Sequence, residues 1–254
     1  MLLVVDVGNT NIVFGLMNGL EVLHTWRLST VARTTDELGV LLLQLLMHDG
    51  YGKGSVTGCI ISTVVPSQLY TIEKAVRRYL DVEAMVVGRG LKTGVKVRTD
   101  NPREVGADRI VNAVAAVERW GGPIVILDFG TATTVDCVNA DGEYIGGAIA
   151  PGFKISEEAL FSRTAKLPRV EVEKPPKAIG TNTVHAMQSG LFWGYVGLVD
   201  ALARRCRDEL DPKARVVATG GLANLFGDES EMIEIVDPHL TLRGLALIHA
   251  RNAR

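Results

Sequence analysis

Two stretches of this chain, "LLVVDVGNTNIVFGL" at residues 2–16 and "IVILDFGTATTVDCV" at residues 124–138, share one plan: aliphatic residues, an aspartate, one apolar residue, a glycine and small polar residues. The aliphatic runs read as strands buried on both faces. A carboxylate at the tip of such a strand costs several kcal/mol unless it is paired, hydrogen-bonded or neutralised by a cation. For one copy the plainest explanation is a turn cap, because Asx side chains accept backbone N–H groups. Two copies need a common explanation, and the segments downstream of them repeat as well. Asn18-Gly19 and Asp141-Gly142 stand at nearly the same offset from Asp6 and Asp128, and such dipeptides close hairpins.

The spacing predicts strands over 2–7, 11–17 and 21–28, then a helix that opens with a capping box at Thr34 and Glu37 and stops at Gly50. A strand "VTGCIISTVV", a helix begun by Pro66 and a strand "AMVV" complete the first copy. An amphipathic helix over about 103–119 comes next, and the order then begins again. Strands are expected at 123–128, 133–138 and "YIGGAIA", helices near 153–163 and 184–210, the strand "RVVATGG", and a final strand and helix. Two copies of a βββαβα unit imply two α/β domains, 1–115 and 116–254, facing one another across a cleft.

The 254 residues are 47% hydrophobic and carry a net charge of −2, so no basic field advertises nucleic acid or an anionic membrane. Small-molecule chemistry is the expectation. Cys59, Cys137 and Cys206 are far apart, and the first two lie in apolar runs where a thiol packs as a small hydrophobe. A reducing cytosol fits, as does the lack of a cationic leader before the first apolar residues. The longest aliphatic block, "VLLLQLLM", is too short to span a bilayer.

Behind each aspartate, "GNTN" and "GTATT" combine a glycine that lets backbone approach a ligand with side chains that hydrogen-bond phosphate oxygens. An aspartate beside a phosphate requires a cation between them, and hard cations accept carboxylate, water and phosphate oxygen together. Asp6 and Asp128 are therefore expected to hold cations, or their waters, against the phosphates of a nucleotide. "GYGKGS" lacks the spacing of a Walker loop, and "GRGLKTG" at 88–94 precedes an extended-looking stretch where a dinucleotide fingerprint needs a helix; both are rejected. "ATGG", residues 218–221, permits close approach of a flat ligand, although a tight strand-to-helix turn explains it as well.

In "DNPREVGADRIVNAV" a helix starting at Pro102 puts Glu104, Asp108 and Asn112 on one face, with Gly106 in mid-helix and Arg109 pointing elsewhere. A solvated face is the bland explanation. The chemical one is that a carboxylate base beside a guanidinium is what phosphoryl transfer from ATP to an alcohol needs. The histidines form no pair at metal spacing, and His185 is expected at a surface or interface. "LFWGYVGLV", apolar nearly all round, belongs in a core or against a second copy of the chain.

"DVGNTN", "GADRIVNA", "DFGTATT" and "ATGG", in this order and over essentially the whole length, resemble the type III pantothenate kinases of the actin-like, acetate and sugar kinase superfamily. The resemblance implies an α/β fold of duplicated actin-like (ribonuclease H-like) domains, mixed central sheets flanked by helices. It implies ATP contacts from Asp6, Val7, Gly8, Asn9, Thr10, Asn11, Ile12 and Val13, then from Thr131 and Thr133, with Gly130 in the second turn and Gly220 and Gly221 by the adenosine. Magnesium would come with ATP near Asp6, and a monovalent cation, potassium or ammonium, would lie near Asp128. Gly106, Ala107, Asp108 and Arg109 would contact pantothenate, Asp108 as general base, and Thr183 would complete the pocket at a homodimer interface. Relatives commonly have tyrosine two residues before the Asn-Pro pair, where this chain has Thr99.

The expected activity is cytoplasmic, ATP-dependent phosphorylation of pantothenate to 4′-phosphopantothenate, the first step of coenzyme A biosynthesis. The rivals are another small-alcohol kinase or a phosphohydrolase on the same fold, and a non-catalytic accessory regulator. A retired enzyme has no chemical need to keep Asp6, Asp108 and Asp128 together.

Overall fold

The computed structural model describes residues 1–253 other than Arg89, Ala165 and Val172. It divides into two compact units, Met1–Arg119 with His239–Arg254, and Trp120–Pro238. The rejected fingerprint at 88–94 includes Arg89, outside the described residues. No helix follows it until a short 3-10 turn at Pro102–Glu104.

The first unit begins with β1 (Leu2–Val7), β2 (Asn11–Asn18) and β3 (Glu21–Ser29), and continues with α1 (Thr35–His48), β4 (Gly58–Thr63), α2 (Pro66–Leu80), β5 (Ala84–Val86) and α3 (Ala107–Trp120). Its sheet runs β3-β2-β1-β4-β5, with an antiparallel meander on one side of β1 and parallel strands on the other. Alternation sends Leu3, Val5, Val7 and Ile61 to one face, where they meet Leu42 of α1 and Ile72 and Val76 of α2. Asp6 and Ser62, directly opposed on β1 and β4, share the other face.

Local signals set these elements. The Thr34 hydroxyl accepts from the Glu37 N–H at 3.2 Å and the Glu37 carboxylate from the Thr34 N–H at 2.7 Å, the expected capping box. Pro66 opens α2 at its first turn. The first hairpin differs by one residue from the expectation. Asn18 pairs with Glu21, so Gly19 and Leu20 form the loop and only Gly19 has positive φ, the arrangement with glycine at the first central position.

The second unit repeats the plan with β6 (Ile124–Phe129), β7 (Ala132–Val138), β8 (Tyr144–Pro151), α4 (Phe153–Ser162), α5 (Thr183–Leu210), β9 (Arg215–Gly220), α6 (Ala223–Gly227) and β10 (Ile235–Val236). Its sheet order, β10-β9-β6-β7-β8, is the first order in the corresponding strands. The "LFWGYVGLV" stretch of α5 goes into this unit's own core. Phe192 and Tyr195 pack with Phe129, Phe153 and Phe226, the Tyr195 and Phe226 rings 4.7 Å apart.

The last helix, α7 (Leu240–Asn252), leaves the expected second domain of 116–254 and lies on β1 and β4 of the first unit. Glycines make the room. A Cβ at Gly15 would stand 3.0 Å from Leu242, one at Gly58 2.9 Å from His249, and one at Gly244 2.2 Å from the carbonyl of Val111 on α3. Among the described residues no helix is long and apolar enough to cross a membrane.

Candidate active site

The turn after Asp6 is short and braced. Gly8 donates its N–H to the Asn11 carbonyl at 3.0 Å. Thr30, just past β3, donates its N–H to the Thr10 carbonyl at 2.9 Å and its hydroxyl to the Gly8 carbonyl at 2.7 Å. With those carbonyls occupied, Asn9 and Thr10 stay exposed at the apex. Val7 and Ile12 are core residues, so their side chains are turned away from any ligand and only their backbone can meet one.

At the same end of this sheet stands the start of α3. The Val64 N–H bonds the Val7 carbonyl at 3.1 Å, and the Val64 side chain lies 3.6 Å from where a Gly106 Cβ would be. Gly106 precedes the helix rather than lying within it, contrary to the sequence pattern. The pattern of apolar positions runs on through Glu104, but Pro102–Glu104 form a separate 3-10 turn, so Glu104 leaves the expected helix face and bonds Asn101 at 2.6 Å. Asn112 is fully buried and accepts from the Thr241 hydroxyl at 2.7 Å, a structural duty that ties α3 to α7.

Asp108 remains as the carboxylate of the first turn. A Cβ at Gly106 would come 2.5 Å from its Oδ1, so glycine there leaves room for the carboxylate over the helix start. The Arg109 N–H bonds the same oxygen at 2.8 Å. Burial pushes the Asp108 carboxyl above the ordinary carboxylate range, against the opposing pull of that N–H bond and of the Arg109 charge. A partly desolvated carboxylate with a raised pKa is suited to accept a proton near neutral pH.

In the second unit Asp128 is opposed by Thr134 on β7 and Thr219 on β9. The turn is one residue tighter than the first, since Phe129 pairs with Thr133 where Val7 pairs with Ile12. Thr131 is exposed, whereas Thr133 is fully buried and shares a hydrogen bond with the Tyr195 hydroxyl, so its side chain anchors the turn from below. Two backbones press against it. A Cβ at Gly152 would stand 2.1 Å from the Thr131 carbonyl. One at Gly220, whose φ is 94°, would stand 2.6 Å from Asp128 Oδ1. The "ATGG" glycines thus do more than turn the chain: the first lets β9 lie against the carboxylate.

Thr183 is exposed at the first position of α5 and lines an open depression of about 750 Å³ with Ser156, Leu160, Leu167 and Met187. The Asn182 side chain caps this helix, accepting from the His185 N–H at 2.9 Å. Thr30, Ser62 and Gly152 belong to no site motif singled out in the sequence, and Thr219 of "ATGG" and Tyr195 of "LFWGYVGLV" lie in such stretches without being picked out as site residues. Their only signal is position, beside the Asp-Gly turns once the sheets are assembled.

Among the described residues no three His, Cys, Asp or Glu side chains converge as a metal cage. Single carboxylates next to exposed turns fit cations that arrive with a phosphate chain and keep several waters, which is how magnesium is held.

The type III pantothenate kinase family model matches residues 2–205. The type III pantothenate kinase of Bacillus cytotoxicus is 49% identical over 254 residues, covering 100% of this chain and 97% of that protein. Among solved structures, ethanolamine utilization protein EutJ from Carboxydothermus hydrogenoformans superposes with a TM-score of 0.55 at 15% identity, covering 97% of this chain and 89% of that one. The inorganic polyphosphate/ATP-glucomannokinase from an Arthrobacter strain gives 0.52 at 15% identity, with 99% of each chain covered. These structural likenesses establish the actin-like sugar kinase fold. The family match and the full-length identity establish the rest: this chain belongs to the type III pantothenate kinases.

Proposed function

We propose that Asp108 is the base with which this kinase accepts the proton of pantothenate's terminal hydroxyl as that oxygen attacks the γ-phosphorus of ATP. The bond from the γ-phosphorus to the bridging oxygen breaks, leaving ADP and 4′-phosphopantothenate. The observation that carries this role is the half-buried Asp108 at the head of α3, its pKa raised by burial and one oxygen fixed by the Arg109 N–H. The Arg109 guanidinium supplies positive charge for the substrate carboxylate or nearby oxygens. Asp6 would hold the magnesium that comes with ATP, and Asp128 the potassium or ammonium ion. When bound, these cations neutralise phosphate charge that would otherwise repel both carboxylates.

Thr183 and the depression beside it are our candidate for completing the pantothenate pocket, with a second copy of the chain as the neighbour. Two observations support a homodimer. Ile149, Ile155, Phe161, Ile179 and Val184 are exposed on β8, on α4, and on the approach to and first turn of α5, Ile179 to 83%. Gly190, Gly194 and Gly197 share one face of α5, and a Cβ at any of them would meet nothing within 4 Å. Each helical glycine costs about 1 kcal/mol relative to alanine, which close approach of another chain would explain. The three free cysteines, two of them buried, suit a cytoplasmic setting.

Mass spectrometry of the products from ATP and pantothenate, with and without potassium, tests the activity. A potassium-dependent gain of one phosphoryl group on pantothenate is expected. ATP hydrolysis without acceptor phosphorylation would favour the phosphohydrolase, and phosphorylation of other alcohols alone would favour a different kinase. Light scattering at twice the 27.4 kDa chain mass is expected for the dimer.

A further inference from the structure

Among the described residues three hydroxyl oxygens are buried without a hydrogen-bond partner, on Ser62, Thr99 and Thr219, and two of these belong to fully buried strand residues. Ser62 and Thr219 are 0% and 1% exposed, and neither side-chain oxygen has a hydrogen-bond partner among the described residues. Unsatisfied buried polar groups are few in folded proteins and unfavourable where they occur. An apolar residue would avoid the penalty, and two positions earlier on each strand the chain uses one, Ile60 on β4 and Val217 on β9.

The two hydroxyls occupy matching places. Ser62 is directly opposite Asp6 in the parallel pairing of β4 with β1, and Thr219 is directly opposite Asp128 in the parallel pairing of β9 with β6. Residues so opposed are about 4.8 Å apart and project from the same face. Each strand-tip carboxylate therefore has a hydroxyl beside it, on the one neighbouring strand that runs parallel to its own. The antiparallel neighbours show no such match, being Val13 beside Asp6 and Thr134 beside Asp128. Thr134 is already committed, donating to Asp136 at 3.0 Å.

The start of α3 lies beside the end of β4. Val64, just past the end of β4 and two residues after Ser62, comes 3.6 Å from where a Cβ at Gly106 would stand, two residues before Asp108. In the second unit Gly220, directly after Thr219, brings its backbone against Asp128. Both hydroxyls thus sit beside a strand-tip carboxylate, next to the acidic turns.

We propose that Ser62 and Thr219 are positioning residues whose hydroxyls bond oxygens that arrive with the nucleotide, either phosphate oxygens or waters of its cations. A hydroxyl suits both cases, because it donates to a phosphate oxygen and accepts from a cation-bound water. The bond formed on binding removes a penalty carried by the unliganded protein, so part of the ligand's affinity is stored in two unsatisfied groups. This inference rests on the proposed kinase activity and adds residues to it.

The test compares wild type with Ser62→Ala, Thr219→Val and the conservative Thr219→Ser. Titration calorimetry with magnesium and AMP-PNP in potassium buffer reads affinity, and a thermal melt without ligand reads the fold. Each of the first two substitutions should weaken binding about three- to tenfold and leave the unliganded melting midpoint unchanged or raised. Thr219→Ser should bind within about twofold of wild type. Wild-type affinity in Ser62→Ala or Thr219→Val overturns the role of that residue, and if the midpoint falls as well, the hydroxyl serves the fold. A wild-type protein that fails to bind the magnesium complex overturns the kinase proposal together with this one.

Discussion

The turn after Asp6 and the turn after Asp128 stand at matching points of two sheets with one strand order, yet they are held by different means. The first is one residue longer and its carbonyls are gripped from the side by Thr30. The second is tighter, wedged between the backbones of Gly152 and Gly220, with Thr133 tied to Tyr195 underneath. A duplicated scaffold fixes where each carboxylate stands, because strand register leaves no freedom there. The loops that brace it can diverge, and here one relies on a hydrogen-bonded side chain and the other on close backbone packing. The first unit also carries Asp108, the proposed base, so the proposal gives this unit a chemical duty as well as a binding one.

The largest effect should come from separating those two duties. Asp108→Asn keeps an oxygen for the Arg109 N–H but removes the proton acceptor, and turnover should fall about 10²- to 10⁴-fold with nucleotide affinity nearly unchanged. Near-normal turnover would remove Asp108 from the role of base. The pH dependence has a definite sign. The base works only when ionised, and burial raises its pKa, so kcat/KM should decline on acidification from a higher pH than an ordinary carboxylate would give. For stability the native state binds the proton more tightly than the unfolded chain does. The Asp108 contribution therefore favours folding at low pH and is lost as pH rises through the raised pKa. Asp108→Asn should accordingly raise the melting midpoint at neutral pH, as relief of strain at active sites does.

Glycine replacements sharpen the contrast between the turns. Gly152→Ala would bring a Cβ to 2.1 Å from a backbone carbonyl, and overpacking against rigid backbone costs about 1–3 kcal/mol or more. Gly220→Ala adds a positive φ to a similar clash. In the first turn Gly8→Ala meets only the Asn11 carbonyl at 3.2 Å, and should cost less than about 1 kcal/mol, within the range of ordinary substitutions. Equal losses in chemical denaturation for Gly8→Ala and Gly152→Ala would erase the distinction. The smallest effect is expected for Thr30→Val, which removes one hydroxyl donor from the first turn and should cost about 0.5–1.5 kcal/mol, with a matching modest loss of nucleotide affinity.

Much of the fold and site is legible in the sequence because the signals are local. Aliphatic runs ending in Asp-x-Gly mark both strand tips, the Thr34–Glu37 pair marks a helix start, and Pro66 marks another. The features that do not read out are decided by partners distant in sequence. Helical period identifies α7 but says nothing of which sheet receives it; Gly15 and Gly58 decide that by leaving space for Leu242 and His249. The start of α3 is misplaced because the apolar pattern runs smoothly through Glu104, whereas a 3-10 turn held by Asn101 ends before Gly106. Thr133 sits in the right motif, and its burial on Tyr195 needs α5 to be in place. Ser62 and Thr219 acquire meaning only from strand register.

The central claim is that each acidic strand tip serves one cation of the nucleotide complex. Titrating nucleotide affinity against potassium and magnesium in Asp6→Asn and Asp128→Asn tests it most directly. Asp128→Asn should lose the potassium dependence while keeping that on magnesium, and Asp6→Asn should do the reverse. Wild-type dependence on both ions in both variants would contradict the claim.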